Sequence, residues 1–222
     1  MKVIRLESNP RLYSCNAYLV LGSWNTLADV NTLVDIGQDG FVITEIESIS
    51  TGVGKRPVEQ VVLTHSHFDH AAGLGAVKRR FDPIVRAFGR VEGSGSPLAN
   101  GEIIRMGDAF FEVIHIPGHS NDSIFLYSKS EGVLFSGDSP VNIRSSDGTY
   151  SEEFTAVMER VCALPIETIY SGHDDPITDG ARSVLRRSLE NIRRSEGRRA
   201  YSGYDGILKD RAKGVSGSLE GQ

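Results

Sequence analysis

No run of apolar residues in this chain approaches the roughly 18 needed to span a bilayer as a helix, so no membrane-spanning segment is expected. Cysteine is scarce. Cys15 and Cys162 are the two present and stand in no paired motif, so a disulfide framework is not indicated and buried, reduced thiols are expected. Positive charge is also short: 24 Lys and Arg against 29 Asp and Glu leave a net charge of −5, which gives no global pull toward nucleic acid. The start, Met1-Lys2-Val3-Ile4-Arg5, lacks the apolar stretch of a secretory signal, and a cytoplasmic location is the expectation. Internal repeats and low-complexity tracts are missing too, and 222 residues at 39% hydrophobic content suffice for one sizeable core. The expected organisation is one domain over 1–202, followed by a tail over 203–222 that has little to bury and is expected to be partly mobile.

What the chain does have is a concentration of metal-binding side chains. His65-Ser66-His67-Phe68-Asp69-His70 follows directly on the apolar run Val61-Val62-Leu63-Thr64, which has the composition of a buried strand. Three of the six histidines fall in that window. Neutral imidazole and carboxylate are the ligands that zinc and similar divalent ions take. The spacing of two, two and one does not follow one face of a helix, so a turn at a strand end is expected. Four ligands this close would crowd a single ion, whereas two ions relieve the crowding: His65 and His67 on one, Asp69 and His70 on the other.

Further ligands should come from other strand ends, because they must converge at one edge of a sheet. Phe110–Ile116 runs into Pro117-Gly118-His119, Gly132–Phe135 into Ser136-Gly137-Asp138, and Thr168–Tyr170 into Ser171-Gly172-His173. A glycine precedes each His or Asp, which lets the backbone turn tightly beside an ion. Read with the cluster, His119, Asp138 and His173 are candidate ligands. His115 lies inside its strand pattern and is expected to be a core or supporting histidine.

The series His-x-His-x-Asp-His, Gly-His-Ser, Gly-Asp and Gly-His resembles the metallo-β-lactamase superfamily from about Leu33 to His173. Thr32-Leu33-Val34-Asp35-Ile36-Gly37 is similar to the family's first motif, whose Asp supports the ligands without binding metal. The resemblance implies an α/β fold, a four-layer αβ/βα sandwich with the metals at one edge between two sheets. It further implies His65, His67 and His119 on the first ion, Asp69, His70 and His173 on the second, and Asp138 between them. Zinc is the first expectation for both ions, and iron or manganese suits the same ligands.

An Asp at the bridging position resembles thioesterases, lactonases, phosphodiesterases and flavin-diiron proteins rather than true β-lactam hydrolases. The length leaves no room for a flavodoxin domain, and the charge does not favour RNA. The implied activity is hydrolysis of a small-molecule thioester or ester by a hydroxide held between the ions, with Asp69 accepting its proton and Asp138 holding both sites together. The alternatives are an iron-dependent, persulfide dioxygenase-like oxidoreductase, or a lactonase or phosphodiesterase of the same superfamily. The glutathione-binding stretch of glyoxalase II is missing after Asp138, and Val141 stands about where lactonases carry a tyrosine. Tyr150 could reach the site from its loop. Ser66 reads as a spacer, since no side-chain nucleophile is needed. The expected partner is the small-molecule substrate, with no membrane and no nucleic acid; a homo-oligomer is left open.

Strands are expected at Val3–Leu6, Ala17–Leu21, Thr32–Asp35, Ile84–Ala87, Ile103–Met106, Ile124–Tyr127 and Val133–Phe135, besides those already named. Helices are expected at Val42–Ile49, Ala71–Phe81 and from Ser151 onward, where Ser caps and Glu152-Glu153 fill the first turn. Beyond Gly180 the chain holds ten basic and five acidic residues. Val184, Leu185, Leu189 and Ile192 form a helical stripe there, so the arginines should decorate its solvent face. The other reading makes them a positive rim for an acidic substrate such as an acyl-CoA.

Overall fold

The structure, a computed structural model, describes residues 1–195. The expected tail over 203–222 and the basic residues beyond 195 lie outside the described residues. The first half forms strands β1 (Lys2–Leu6), β2 (Ala17–Leu21), β3 (Thr32–Val34), β4 (Gln60–Leu63) and β5 (Ile84–Ala87), with helices α1 (Val42–Ser48), α2 (Phe68–Ala71) and α3 (Leu74–Phe81). The second half forms β6 (Ile103–Met106), β7 (Ala109–His115), β8 (Ile124–Ser128), β9 (Val133–Gly137) and β10 (Thr168–Ser171), with α4 (Glu152–Cys162) and a last helix, α5, over residues 181–195. The sheets run β1-β2-β3-β4-β5 and β10-β9-β8-β7-β6.

Alternation along the strands explains the layering. Leu33, Val61 and Leu63 face a core shared with Ile46, Val77 and Phe81 of α1 and α3. Their neighbours Val34 and Val62 face the other way, into a core between the sheets with Phe111, Val113, Leu126 and Phe135. Ile114, Phe125 and Leu134 face a third core with Met158 and Val161 of α4 and Leu185 and Ile192 of α5. Strands buried on both faces read as continuous apolar runs, which is why Val61–Leu63 and Val133–Phe135 show no polar alternation. Three cores between four layers make the expected αβ/βα sandwich.

The topology also sends the ligand-bearing strand ends to one edge. β3 and β4 run parallel, as do β9 and β10, while β7 is antiparallel to β8 and β8 to β9, so β7 points the same way as β9. Side chains just past the carboxyl ends of such strands collect at a common rim, the usual place for ligands in α/β sheets.

Two expectations need correction. The helix expected over Ala71–Phe81 is two pieces, α2 and α3, because the chain turns at Ala72-Gly73 before α3 begins. Asp69 and His70 consequently sit on the single helical turn of α2 and not on an open turn. The α4 reading holds: Ser151 Oγ accepts from Phe154 N at 3.1 Å, and Phe154, Met158 and Val161 are buried. On α5, Leu185, Leu189 and Ile192 are buried and Val184 is half-buried, while Arg182, Arg186, Arg187, Arg193 and Arg194 are exposed, matching the solvent-face reading.

Candidate metal centre

The rim brings all seven candidate ligands together in two groups, each with its ligand atoms within 4.8 Å of one another: His65, His67 and His119, and Asp69, His70, Asp138 and His173. In the first group, His67 Nδ1 lies 3.1 Å from His65 Nε2 and 2.9 Å from His119 Nε2. In the second, His173 Nε2 lies 3.0 Å from Asp69 Oδ2. Asp138 stands between the groups. Its Oδ2 is 3.5 Å from His119 Nε2 and 3.3 Å from His173 Nε2, and its Oδ1 is 3.1 Å from His70 Nε2.

Backbone features make this convergence sterically accessible. Gly137 adopts φ +50, and a Cβ there would fall 2.5 Å from Thr64 Oγ1. A Cβ on Gly172 would fall 2.0 Å from Asp138 Oδ1. Only glycine lets β9 and β10 bring Asp138 and His173 this close to β4.

Behind the ligands lies one buried carboxylate. Asp35, at φ +55 just past β3, accepts from Thr64 N and Thr64 Oγ1, both at 2.8 Å, and its Oδ2 is 2.9 Å from His70 Nδ1. Thr64 Oγ1 is in turn 3.1 Å from His65 Nδ1. With its own proton given to Asp35, the Thr64 oxygen accepts from His65 Nδ1–H. The Nδ1 protons of His65 and His70 are thereby both fixed by Asp35, directly or through Thr64, and both Nε2 atoms are turned toward the rim.

A metal fits these donors. His70 Nε2 and Asp138 Oδ1 are buried and face each other at 3.1 Å without a well-formed hydrogen bond to any described group, an arrangement that a shared cation would satisfy. Two nitrogens about 2.0–2.1 Å from one tetrahedral ion lie about 3.3 Å apart; the spacings among His65, His67 and His119 are close to that. Burial, reinforced by the charge of His70, pushes His65 down to about 4, so its lone pair is free at neutral pH. Burial likewise lowers His119, against the pull of Asp138. Burial opposes a charge on His70 too, yet Asp35 and Asp138 outweigh it and hold that ring well above the usual imidazole range. For Asp138, burial is outweighed by contact with His70 and by the charges of His70, His173 and His65, bringing it to about 2. The second group is therefore built to balance concentrated positive charge.

Residues that sequence reading passes over complete the setting. Cys15 is buried beside Asp35 and His70, its ligand atom within 4.8 Å of theirs, and burial pushes its thiol up to about 11. Tyr13 stacks on His173 at 4.9 Å between ring centroids. Asn16 Nδ2 donates to Ser171 O and Asp174 O, and Tyr18 Oη to Ser171 O at 2.6 Å, so the segment entering β2 fixes the His173 loop. No local motif announces Tyr13, Asn16 and Tyr18, since their partners lie more than 150 positions away. His115 is neither core nor ligand: half-buried, it stacks on Phe88 and its Nε2 meets Asn121 O at 2.9 Å. Asp122 is raised by burial, but Ser120 and Ser66 outweigh it and hold its carboxyl below the ordinary carboxylate value. Val141 is buried in the outer core, whereas Tyr150 lines a cavity with His119 and Asp138.

The family profile of the "Metallo-beta-lactamase superfamily" matches residues 10–173, which takes in every strand end described above. The chain belongs to this superfamily. Among curated relatives it is 32% identical over 129 residues to the hydroxyacylglutathione hydrolase of Xanthomonas euvesicatoria pv. vesicatoria (strain 85-10), covering 54% of this chain and 49% of that protein. To the atrochrysone carboxyl ACP thioesterase of Aspergillus fumigatus (strain ATCC MYA-4609 / CBS 101355 / FGSC A1100 / Af293) it is 25% identical over 196 residues, covering 83% and 47%. The chain thus spans about half the length of these relatives. A metallo-beta-lactamase family protein from Thermus thermophilus shares the superfamily fold at a TM-score of 0.64 and 20% identity, over 86% of this chain and 79% of that one. Among the described residues, no helix is long and apolar enough to cross a membrane.

Proposed function

We propose that this superfamily member hydrolyses a small-molecule thioester or ester at a centre of two divalent ions. His65, His67 and His119 would hold one ion, and Asp69, His70 and His173 the other, with Asp138 shared. The observation that carries this reading is the position of Asp138, within 3.5 Å of ligand nitrogens from both groups. When bound, such ions lower the pKa of a shared water from 15.7 toward neutrality and polarise a carbonyl, with zinc the first candidate and iron or manganese also suited.

This chain's own residues do the rest. Asp35 and Thr64 hold two imidazoles in the tautomer that presents Nε2. Asp69, fixed by His173 at 3.0 Å, offers a carboxylate oxygen that can take up the proton of the attacking water. A side-chain nucleophile is not required in this reading, and the Cys15 thiol, pushed up to about 11 by burial, is protonated at neutral pH. The thioesterase and thioester-hydrolase names of the relatives support a thioester over an ester.

The test is hydrolysis by metal-reconstituted protein across thioesters, esters, lactones and phosphodiesters, with oxygen uptake followed in the presence of a persulfide. Thioester or ester turnover that a chelator abolishes is the expected result. Oxygen consumption with a persulfide and no hydrolysis would replace this reading with an oxidoreductase.

A further inference from the structure

Beside the metal centre lies a cavity of about 500 Å³, within the range of small-molecule pockets. His119 and Asp138 form one end of it, and Pro140, Tyr150 and Phe154 supply apolar wall. Tyr150 and Phe154 stack at 5.4 Å with planes 19° apart. Among the described residues, none that lines it is a lysine or arginine. Ser151 also lines the cavity at the start of α4, where a helix N-terminus would ordinarily attract an anion. That end is already satisfied: Ser151 Oγ accepts from Phe154 N, and Glu152 and Glu153 occupy the first turn. The wall is also held in place. Ser188 Oγ donates to Val141 O and accepts from Ile143 N, both at 2.8 Å, and Asn191 Nδ2 donates to Ile143 O at 2.8 Å, fastening the segment after Pro140 to α5.

We propose that this cavity receives the acyl half of the substrate, and that this half is uncharged and apolar, of the size of a branched chain or a single aromatic ring. The proposal rests on the hydrolase reading above and adds which part of the substrate the chain selects. Biological thiol carriers bear amides, carboxylates or phosphates, so the half of a thioester that suits an aromatic wall without Lys or Arg is the acyl half. The carbonyl then sits at the His119 and Asp138 end, where the ions would be held. Among the described residues the exposed arginines of α5 are not in the cavity wall, so an acidic acyl group finds no Lys or Arg partner along the Pro140, Tyr150 and Phe154 side.

The experiment uses the metal-reconstituted full chain and thioesters of one uncharged thiol, N-acetylcysteamine, carrying acetyl, phenylacetyl or succinyl groups. Binding of acetate, phenylacetate and succinate is measured alongside by calorimetry. The phenylacetyl ester should exceed the other two in kcat/KM by about tenfold or more, the scale a hydrophobic pocket provides. Phenylacetate should bind tightest of the three acids. Tyr150→Ala should shrink both preferences, raising KM for the phenylacetyl ester more than it lowers kcat. Hydrolysis without acyl preference, or a succinyl preference, would overturn the cavity assignment and leave the hydrolase standing. Selective phenylacetate binding that Tyr150→Ala weakens, with no ester cleaved, would support the cavity and overturn the hydrolase. The absence of both hydrolysis and selective binding would overturn the cavity assignment.

Discussion

Asp35 and His70 stand 2.9 Å apart beneath the rim, the carboxylate fixing the ring whose far nitrogen faces Asp138 at 3.1 Å. Asp35→Asn keeps a side chain that tolerates the left-handed backbone at this position and removes the charge that holds the ring. Metal affinity should fall about 10- to 100-fold, the scale seen when the partner of a ligating histidine is lost. Chelator competition on the purified variant measures it; unchanged affinity would mean that His70 does not need Asp35.

Thr64 extends the same control to His65, because its hydroxyl joins Asp35 Oδ2 at 2.8 Å to His65 Nδ1 at 3.1 Å. Thr64→Val keeps the shape and removes the hydroxyl, leaving a buried hydrogen-bonding position unmatched at about 1–3 kcal/mol of stability. Thr64→Ser retains the hydroxyl. The valine variant should lose affinity for the first ion, and serine should restore it, read from the visible spectrum of the cobalt-substituted protein. Equal spectra and affinities in both variants would assign Thr64 to packing alone.

Gly172 is packed so closely against Asp138 that a methyl group would displace the carboxylate. Gly172→Ala should therefore keep the far-ultraviolet circular dichroism of the parent and lose one of two ions. A variant that still binds both with parental affinity would show that Asp138 has room the structure does not indicate.

The metal-free protein should weaken in mild acid. His65 titrates at about 4 in the fold against 6.5 as the ordinary value. Between those values the unfolded chain carries the extra proton, so stability rises with pH across that window. The contribution is complete above about 6.5, is lost as pH falls toward 4, and is up to about 3 kcal/mol. His70, raised in the fold, stays protonated while the unfolded ring loses its proton near 6.5, so it opposes the rise at the upper end of the window and adds little slope below about 5.5. Denaturant melts of metal-free wild type and His65→Gln from pH 7 to 4 check this. A slope equally steep in the variant would place its origin elsewhere.

The ligand ends are legible in the sequence because each combines an apolar run with a glycine and a single His or Asp, a local pattern. The three cores are legible in outline as well, since strands such as Val61–Leu63 are apolar at every position. The break between α2 and α3 is not, because Ala71-Ala72-Gly73 is compatible with a continuous helix, and the close approach of Gly73 to the Asp39 backbone is a contact between distant positions. Asn16 and Tyr18 are illegible for another reason. Their roles depend on chain crossings between β2 and the end of β10, and nothing within a few residues of them signals those partners. Asp35 is visible through family resemblance; its link through Thr64 to His65 requires coordinates.

The number of ions bound per chain, in wild type and in Asp138→Ala, decides between a shared centre and two unconnected groups. Elemental analysis after reconstitution and removal of free metal gives that number. Two ions in the wild type and one in the variant, with the fold intact and most hydrolysis lost, is the predicted result, because Asp138 has ligand nitrogens of both groups within 3.5 Å. Two tightly bound ions and ordinary turnover in Asp138→Ala, or no more than one ion in the wild type, would contradict it.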